Sequence, residues 1–220
     1  MSMQGMPDRV GGRLCLDFVN TVDPREPPGV EHRGRNEHRS DERGPEQHEY
    51  LADYEEMLDW VTVTDVALPR SVSGLRRLAK RDPAGAKRAH THMVAMRESL
   101  YAVLLSSIRG DAVHASDLRE VNQALGDSIG HRMLLPADRG GVREGWRRSD
   151  SLEQVLWPIA IDAWDLLTEP ELARVRQCPI DSGGCGWLFL DTSRSNNRRW
   201  CDMRTCGNRA KARAHYSRAN

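Results

Sequence analysis

The sequence predicts a mainly α N-terminal domain that carries a small β-hairpin, followed by a compact metal-nucleated module of hairpin and helix. Three observations predict it. Apolar residues recur at helical spacing over most of the first 170 positions. That pattern breaks between His131 and Arg147, where two short runs flank Pro136-Ala-Asp-Arg-Gly-Gly141. The last stretch is poor in apolar residues but holds four of the five cysteines of the 220-residue chain.

In chain order, residues 1–12 read as loose. Leu14 to Val22 is a short apolar run ending at Asn20-Thr21, with Asp23-Pro24 as a stop. Residues 23–49, rich in Pro, Gly, His, Arg and Glu, read as a long exposed loop. Tyr50 to Val66 reads as a helix with Leu51, Tyr54, Met57, Leu58 and Val61 on one face and Asp53 with Glu56 as a capping pair. Leu75 to Lys80 reads as a short turn. Pro83 opens a long helix reaching about Ile108, with Met93, Met96, Leu100, Val103, Leu104 and Ser107 as its buried stripe and Gly110 as its stop. Ser116 is placed to cap a short helix carrying Leu118, Val121 and Leu125. After the hairpin, Ser151 and Gln154 frame a further helix with Leu152, Val155, Leu156, Ile159, Ala163, Leu166 and Leu167 inward. Thr168-Glu-Pro170-Glu171 is a helix-start signal before the C-terminal module.

Cys178, Cys185, Cys201 and Cys206 form C-x6-C, fifteen residues, then C-x4-C. Four thiolates in two pairs suit one tetrahedral Zn²⁺ in a closed structural site, with no position left for a reacting water. Two disulfides would need an oxidising compartment. Met1 to Val10 lacks the apolar core of a secretory signal, and no stretch approaches the ~18 apolar residues of a membrane span. A cytoplasmic location without membrane association is therefore expected, where paired cysteines hold metal. Within the module, Leu188-Phe189-Leu190 reads as a strand, Arg198 to Cys201 as its hairpin partner and Ser193 to Asn197 as the turn. Cys206 then opens a final helix through Tyr216. Knuckle, hairpin and helix in that order make a treble-clef-like zinc finger, in which the metal substitutes for a core that so few residues cannot build.

Charge is unevenly divided. Residues 191–220 hold eight basic residues against Asp191 and Asp202, a net +6, so residues 1–190 carry −6 in a chain of net charge +0. A basic module on an acidic body points to a polyanionic partner for the module. Arg209 and Arg213 share a helix face, with Lys211 rotated away from them. Arg194, Arg198 and Arg199 come from the expected hairpin and add phosphate contacts. Asn208 and Arg209 have the side chains suited to purine edges. Asn208 is equally suited to tying the backbone of the zinc loop. The expected partner is DNA.

The run Cys185-Gly-Trp-Leu-Phe-Leu-Asp-Thr-Ser-Arg, then Arg-Arg-Trp-Cys-Asp-Met, then Cys206-Gly207-Asn208-Arg209-Ala-Lys resembles the CGNR zinc-finger family from Cys178 to about Arg218. In that family the finger follows an N-terminal domain called ABATE. Leu14-Cys15-Leu16-Asp17-Phe18-Val19-Asn20-Thr21 is similar to the opening signature of that domain. The resemblance implies an ABATE-like, α-rich sensing domain over 1–172, a CGNR finger over 173–220, and a stress-linked bacterial transcription regulator.

Weaker signals lie in the body. Asp17 and Asn20 sit in an apolar run, so buried polar groups are expected there. With Arg97 they read either as a small-molecule effector site, since the resemblance implies a sensing domain, or as a hydrogen-bonded anchor of the N-terminal segment to the helices. Cys15 reads as a core residue. His90 and His92, two apart on a helix, face different ways and make a poor metal pair. No phosphate-cradling glycine loop, nucleophile elbow or HExxH pattern occurs, and no enzymatic activity is expected. The function expected is a DNA-binding regulator whose body senses an effector or forms a homodimer. The alternative is a zinc-stabilised ligand-binding or protein-interaction protein whose cations face the acidic body.

Overall fold

The computed structural model describes residues 6–25, 47–64 and 66–219. Most of the segment read as a long exposed loop, including His32 and His38, lies outside the described residues. The chain divides into two compact units, one of Met1–Tyr50 with Glu171–Asn220, the other of Leu51–Pro170.

The Leu51–Pro170 unit is helical. Helix α2 (Tyr54–Thr64) starts where Asp53 Oδ1 accepts the Glu56 N–H at 2.9 Å and Glu56 Oε2 accepts the Ala52 N–H at 2.7 Å, the capping pair expected. Helix α3 (Val72–Arg81) stands where a short turn was expected, and Ser71 caps it by accepting from Gly74 N at 3.3 Å. Helix α4 (Pro83–Arg109) opens on a proline whose missing N–H costs nothing there, with Asp82 as N-cap. It closes at Gly110, whose φ of 74° is the left-handed conformation that glycine adopts without penalty. Met93, Met96, Leu100, Val103 and Leu104 are buried along it, whereas Ser107 is half-buried and turns its hydroxyl back onto Val103 O at 2.7 Å. Helix α5 (Ala115–His131) is longer than expected, and its cap residue is His114, not Ser116.

Strands β3 (Arg132–Pro136) and β4 (Val142–Trp146) form the expected antiparallel hairpin. Ser151 caps only a 3₁₀ turn, Leu152–Val155, and helix α6 runs from Trp157 to Thr168. Pro158, without an N–H, is tolerated in a first helical turn but not inside one continuous helix from Ser151. Pro170–Arg174 is a 3₁₀ turn.

The other unit contains helix α1 (Leu14–Val19), whose Cys15, Leu16, Phe18 and Val19 are fully buried. A two-residue ladder follows, β1 (Val22–Asp23) against β2 (His48–Glu49). Strand β5 (Val175–Gln177) pairs antiparallel with β6 (Leu188–Leu190). The partner of Leu188–Leu190 is thus upstream, and Arg198–Cys201 is not a strand. The reason is local: Arg198 spends its N–H and guanidinium on Asp191, Trp200 and Cys201 rather than on a ladder. A π-helical turn, Met203–Gly207, carries Cys206 into the last helix, α7 (Asn208–Ala219).

Candidate metal centre and basic face

The hairpin of β5 and β6 has the first cysteine pair as its turn. Cys178 follows β5 and Cys185 precedes β6. The turn is closed by Cys178 N–H to Trp187 O at 2.8 Å, Gly186 N–H to Cys178 O at 3.2 Å and Gly184 N–H to Pro179 O at 2.8 Å. Gly184 is required by space, since a Cβ there would lie 2.6 Å from Cys178 Sγ. Cys201 and Cys206 arrive from the segment before α7.

The four sulfurs are buried and lie within 4.8 Å of one another, with Cys185–Cys201 at 3.4 Å and Cys201–Cys206 at 3.7 Å. Zn–S bonds of about 2.3 Å in a tetrahedron put sulfurs about 3.8 Å apart. The arrangement therefore fits one structural Zn²⁺, held by Cys178, Cys185, Cys201 and Cys206. None of the five cysteines is in a disulfide. Among themselves the four thiols cannot all ionise. Hydrogen bonding from Cys185, then Cys201 and Cys206, holds Cys178 far below its ordinary value, while that thiolate pushes Cys185 and Cys201 far up. Cys206 is drawn up by Cys178, but Cys185 and Cys201 outweigh it and hold it at about 7. A dication is what lets all four be thiolates together.

A shell of polar side chains sets the metal loop. Arg198 donates from Nε to Trp200 O at 2.9 Å and from Nη2 to Cys201 O, and its guanidinium lies 4.6 Å from the centre of the Phe189 ring. Asp191 is fully buried and accepts from Ser193 N and Arg198 N at 2.8 Å each. Burial raises its pKa, but the Ser193 hydroxyl, those two N–H groups and the Arg174 charge outweigh burial and leave it below the usual carboxylate range. Arg174 donates to Asp191 O at 2.8 Å and Ser193 O at 2.9 Å. Sequence reading passed over Asp191 and Arg174. The signal for Asp191 was present as Asp-Thr-Ser directly after a strand, a side-chain-capped turn.

The cations expected to meet nucleic acid divide by this geometry. Arg198 is committed to the zinc loop. Asn208 donates to Arg204 O at 3.1 Å, one turn back. Arg194, Arg199, Arg209, Lys211 and Arg213 are exposed. Arg199 lies 4.9 Å from the Trp200 ring and donates to Ser182 Oγ at 2.8 Å. Arg213 lies over the knuckle, close enough that a Cβ on Gly183 would meet its Cδ at 3.1 Å. Burial raises the Asp23 carboxyl, and the Arg209 charge draws it back down, so Asp23 is an acidic neighbour of Arg209 within the same unit.

The residues read as an effector site or as anchors are engaged. Asp17 Oδ1 accepts from Gly11 N at 2.8 Å, and Arg9 Nε stands 3.5 Å from Oδ2. Asn20 donates to Leu188 O at 2.8 Å and accepts from Leu188 N at 2.9 Å, so its amide pairs with a strand as another strand would. Arg97 is buried in α4, in the other unit, and contacts Glu98 at 2.9 Å. On the same helix, His90 meets Leu51 O at 2.7 Å and His92 meets Glu153 at 3.2 Å. The cysteine tetrad is the only cluster of metal-ligating side chains among the described residues. No described helix is long and apolar enough to cross a membrane.

Two family models match the chain. Residues 12–170 match ABATE, described as "Putative stress-induced transcription regulator". Residues 174–219 match the CGNR zinc finger. The first match spans well over half of the chain, and the protein belongs to the ABATE family, with the CGNR finger at its C-terminus. Neither description names a catalytic activity. No curated protein matches the chain.

Proposed function

We propose that this ABATE-family protein is a cytoplasmic regulator that binds double-stranded DNA through the exposed cations of its zinc finger. Residues 173–220 are the DNA-binding domain in this reading, and residues 1–172 are the sensing or dimerisation domain. The observation that carries it is a division of labour among cations. Arg198 is spent on the metal loop, while Arg194, Arg199, Arg209, Lys211 and Arg213 stay exposed around it. Guanidinium and ammonium groups on a rigid scaffold are suited to phosphate oxygens. One finger of this size covers few base pairs, so a homodimer supplies the second half-site. Asn208, tied to Arg204, shapes the helix start in this reading, and base discrimination falls to Arg209.

The test is binding of a duplex pool, made from sheared genomic DNA, across a salt series. Affinity is expected to fall steeply with salt, and the double variant Arg209→Ala with Arg213→Ala to reduce the log–log slope by about 2 with zinc retained. Absence of binding even at low salt would reject the reading. It would favour a zinc-stabilised interaction module, for which the acidic neighbour of Arg209, Asp23, already speaks.

A further inference from the structure

The outer edge of the zinc hairpin is completed by the N-terminal segment. Among the described residues, β6 pairs with β5 on one side only. Along its other side, Cys185 O accepts the Arg25 N–H at 2.6 Å, and Trp187 Nε1 donates to Val22 O at 2.7 Å. Leu188 exchanges two bonds with the Asn20 amide, and the Leu190 N–H reaches Gly11 O at 2.8 Å. Gly186, at φ +80°, has no room for a Cβ because the Arg25 carbonyl oxygen occupies that space. Arg25 is itself buried, and its Nε donates to Val19 O at 2.8 Å, which fixes the turn after α1. The contacts start at a metal ligand and continue through the residues directly after it.

We propose that zinc occupancy and docking of residues 11–25 are one coupled event, with the cysteine tetrad as a latch on the N-terminal segment. The physical reason is reciprocal. The Cys185 carbonyl and the Gly186 turn have this geometry only while Cys185 is tied to the other three cysteines, and an unclosed knuckle takes away the hydrogen-bond partners of Arg25 and Val22. In the other direction, an undocked segment leaves the Leu188 and Leu190 backbone groups and the Trp187 indole N–H without these partners, which loosens the loop that carries Cys185. Two events that share contacts in this way have a common coupling free energy, so each must strengthen the other by the same factor. Metal loss then frees a segment whose Leu16, Phe18 and Val19 are fully buried in the loaded state. The output of such a latch is apolar surface and chain mobility at the N-terminus. The inference rests on the zinc site alone and holds whether or not the basic face contacts DNA.

Amide hydrogen exchange on the full-length protein, zinc-loaded and after chelation, tests it directly. Chelation is expected to deprotect residues 14–25 together with 185–190, while α4 keeps its protection. Continued protection of residues 14–25 after zinc has left would overturn the proposal. The converse arm is Asn20→Ala, which removes both bonds to Leu188. Zinc transfer to a chromogenic chelator is expected to be roughly tenfold faster or more, the size expected for two buried hydrogen bonds. Asn20→Asp keeps the acceptor but sets a buried carboxylate oxygen against the Leu188 carbonyl, and is expected to release zinc at least as fast as Asn20→Ala. Wild-type release rates in both variants would equally overturn it, and the exchange experiment on the wild-type chain decides the matter if Asn20→Ala does not fold.

Discussion

The two compact units of this chain are stabilised by different means. The Leu51–Pro170 unit is an assembly of helices closed by Met57, Trp60, Met93, Met96, Leu100, Leu104 and Ile159, all 1% exposed or less apart from Met93 at 2%. The unit of the two termini has an apolar part around α1, but its C-terminal cluster is four cysteines with Trp187 and Phe189, edged by Val10, Tyr50 and Trp200. Its polar residues are fasteners. Buried Asn20 stands in for a strand, buried Asp191 caps a loop, buried Arg25 holds the Val19 carbonyl, and half-buried Arg198 and exposed Arg174 collect carbonyls from the rim. The comparison teaches that a buried Asn or Arg in such a unit marks a missing ladder or an open loop before it marks a ligand pocket.

The sharpest way to break the comparison is at the metal. Cys201→Ser is expected to abolish stoichiometric zinc and unfold the terminal unit, since a structural zinc contributes on the order of 10 kcal/mol to a module of this kind. Helical circular dichroism from α2 to α6 should persist, and metal analysis with exchange mapping checks both halves. The mirror experiment is Leu100→Ala in α4, where the lost side chain and its cavity cost about 3–5 kcal/mol. Its denaturation midpoint should drop while zinc content stays at one per chain. A smaller effect is expected from Asp191→Ala. Ser193 and Arg198 N–H lose their acceptor, and exchange at those two amides should rise about tenfold with zinc retained. The smallest is Asp82→Ala, which removes the cap that accepts from Gly85 N at 2.8 Å and should cost about 1 kcal/mol, read in thermal denaturation with no change in zinc release.

Much of the helical unit was legible because its signals are local. Asp53 with Glu56, Pro83 and Gly110 act within one turn of where they stand, and the Met93 to Leu104 stripe follows helical geometry alone. Errors arose where two local readings competed. Ser116 reads as a cap, yet the cap position of α5 falls two residues earlier, at His114, which puts Ser116 inside the first turn. Pro158 splits the run after Ser151 into a 3₁₀ turn and α6. In the zinc unit, Cys178, Cys185, Cys201 and Cys206 were legible from residue type and spacing. The partner of Leu188–Leu190 was not, because Val175–Gln177 is short, with one apolar residue, and carries no strand pattern of its own.

The sequence by itself determined the chemistry and the local turns: four thiolates for one dication, a cation-rich C-terminus, and helices that start and stop at named caps. Tertiary structure alone decided that residues 11–25 close the edge of the zinc hairpin, that Asn20 serves Leu188, and that Arg198 faces inward while its neighbour Arg199 faces out. The first two of those outcomes join groups more than 150 positions apart in sequence. A donor or acceptor on the main chain looks the same at every residue, so only the folded arrangement reveals which one is left to be paired.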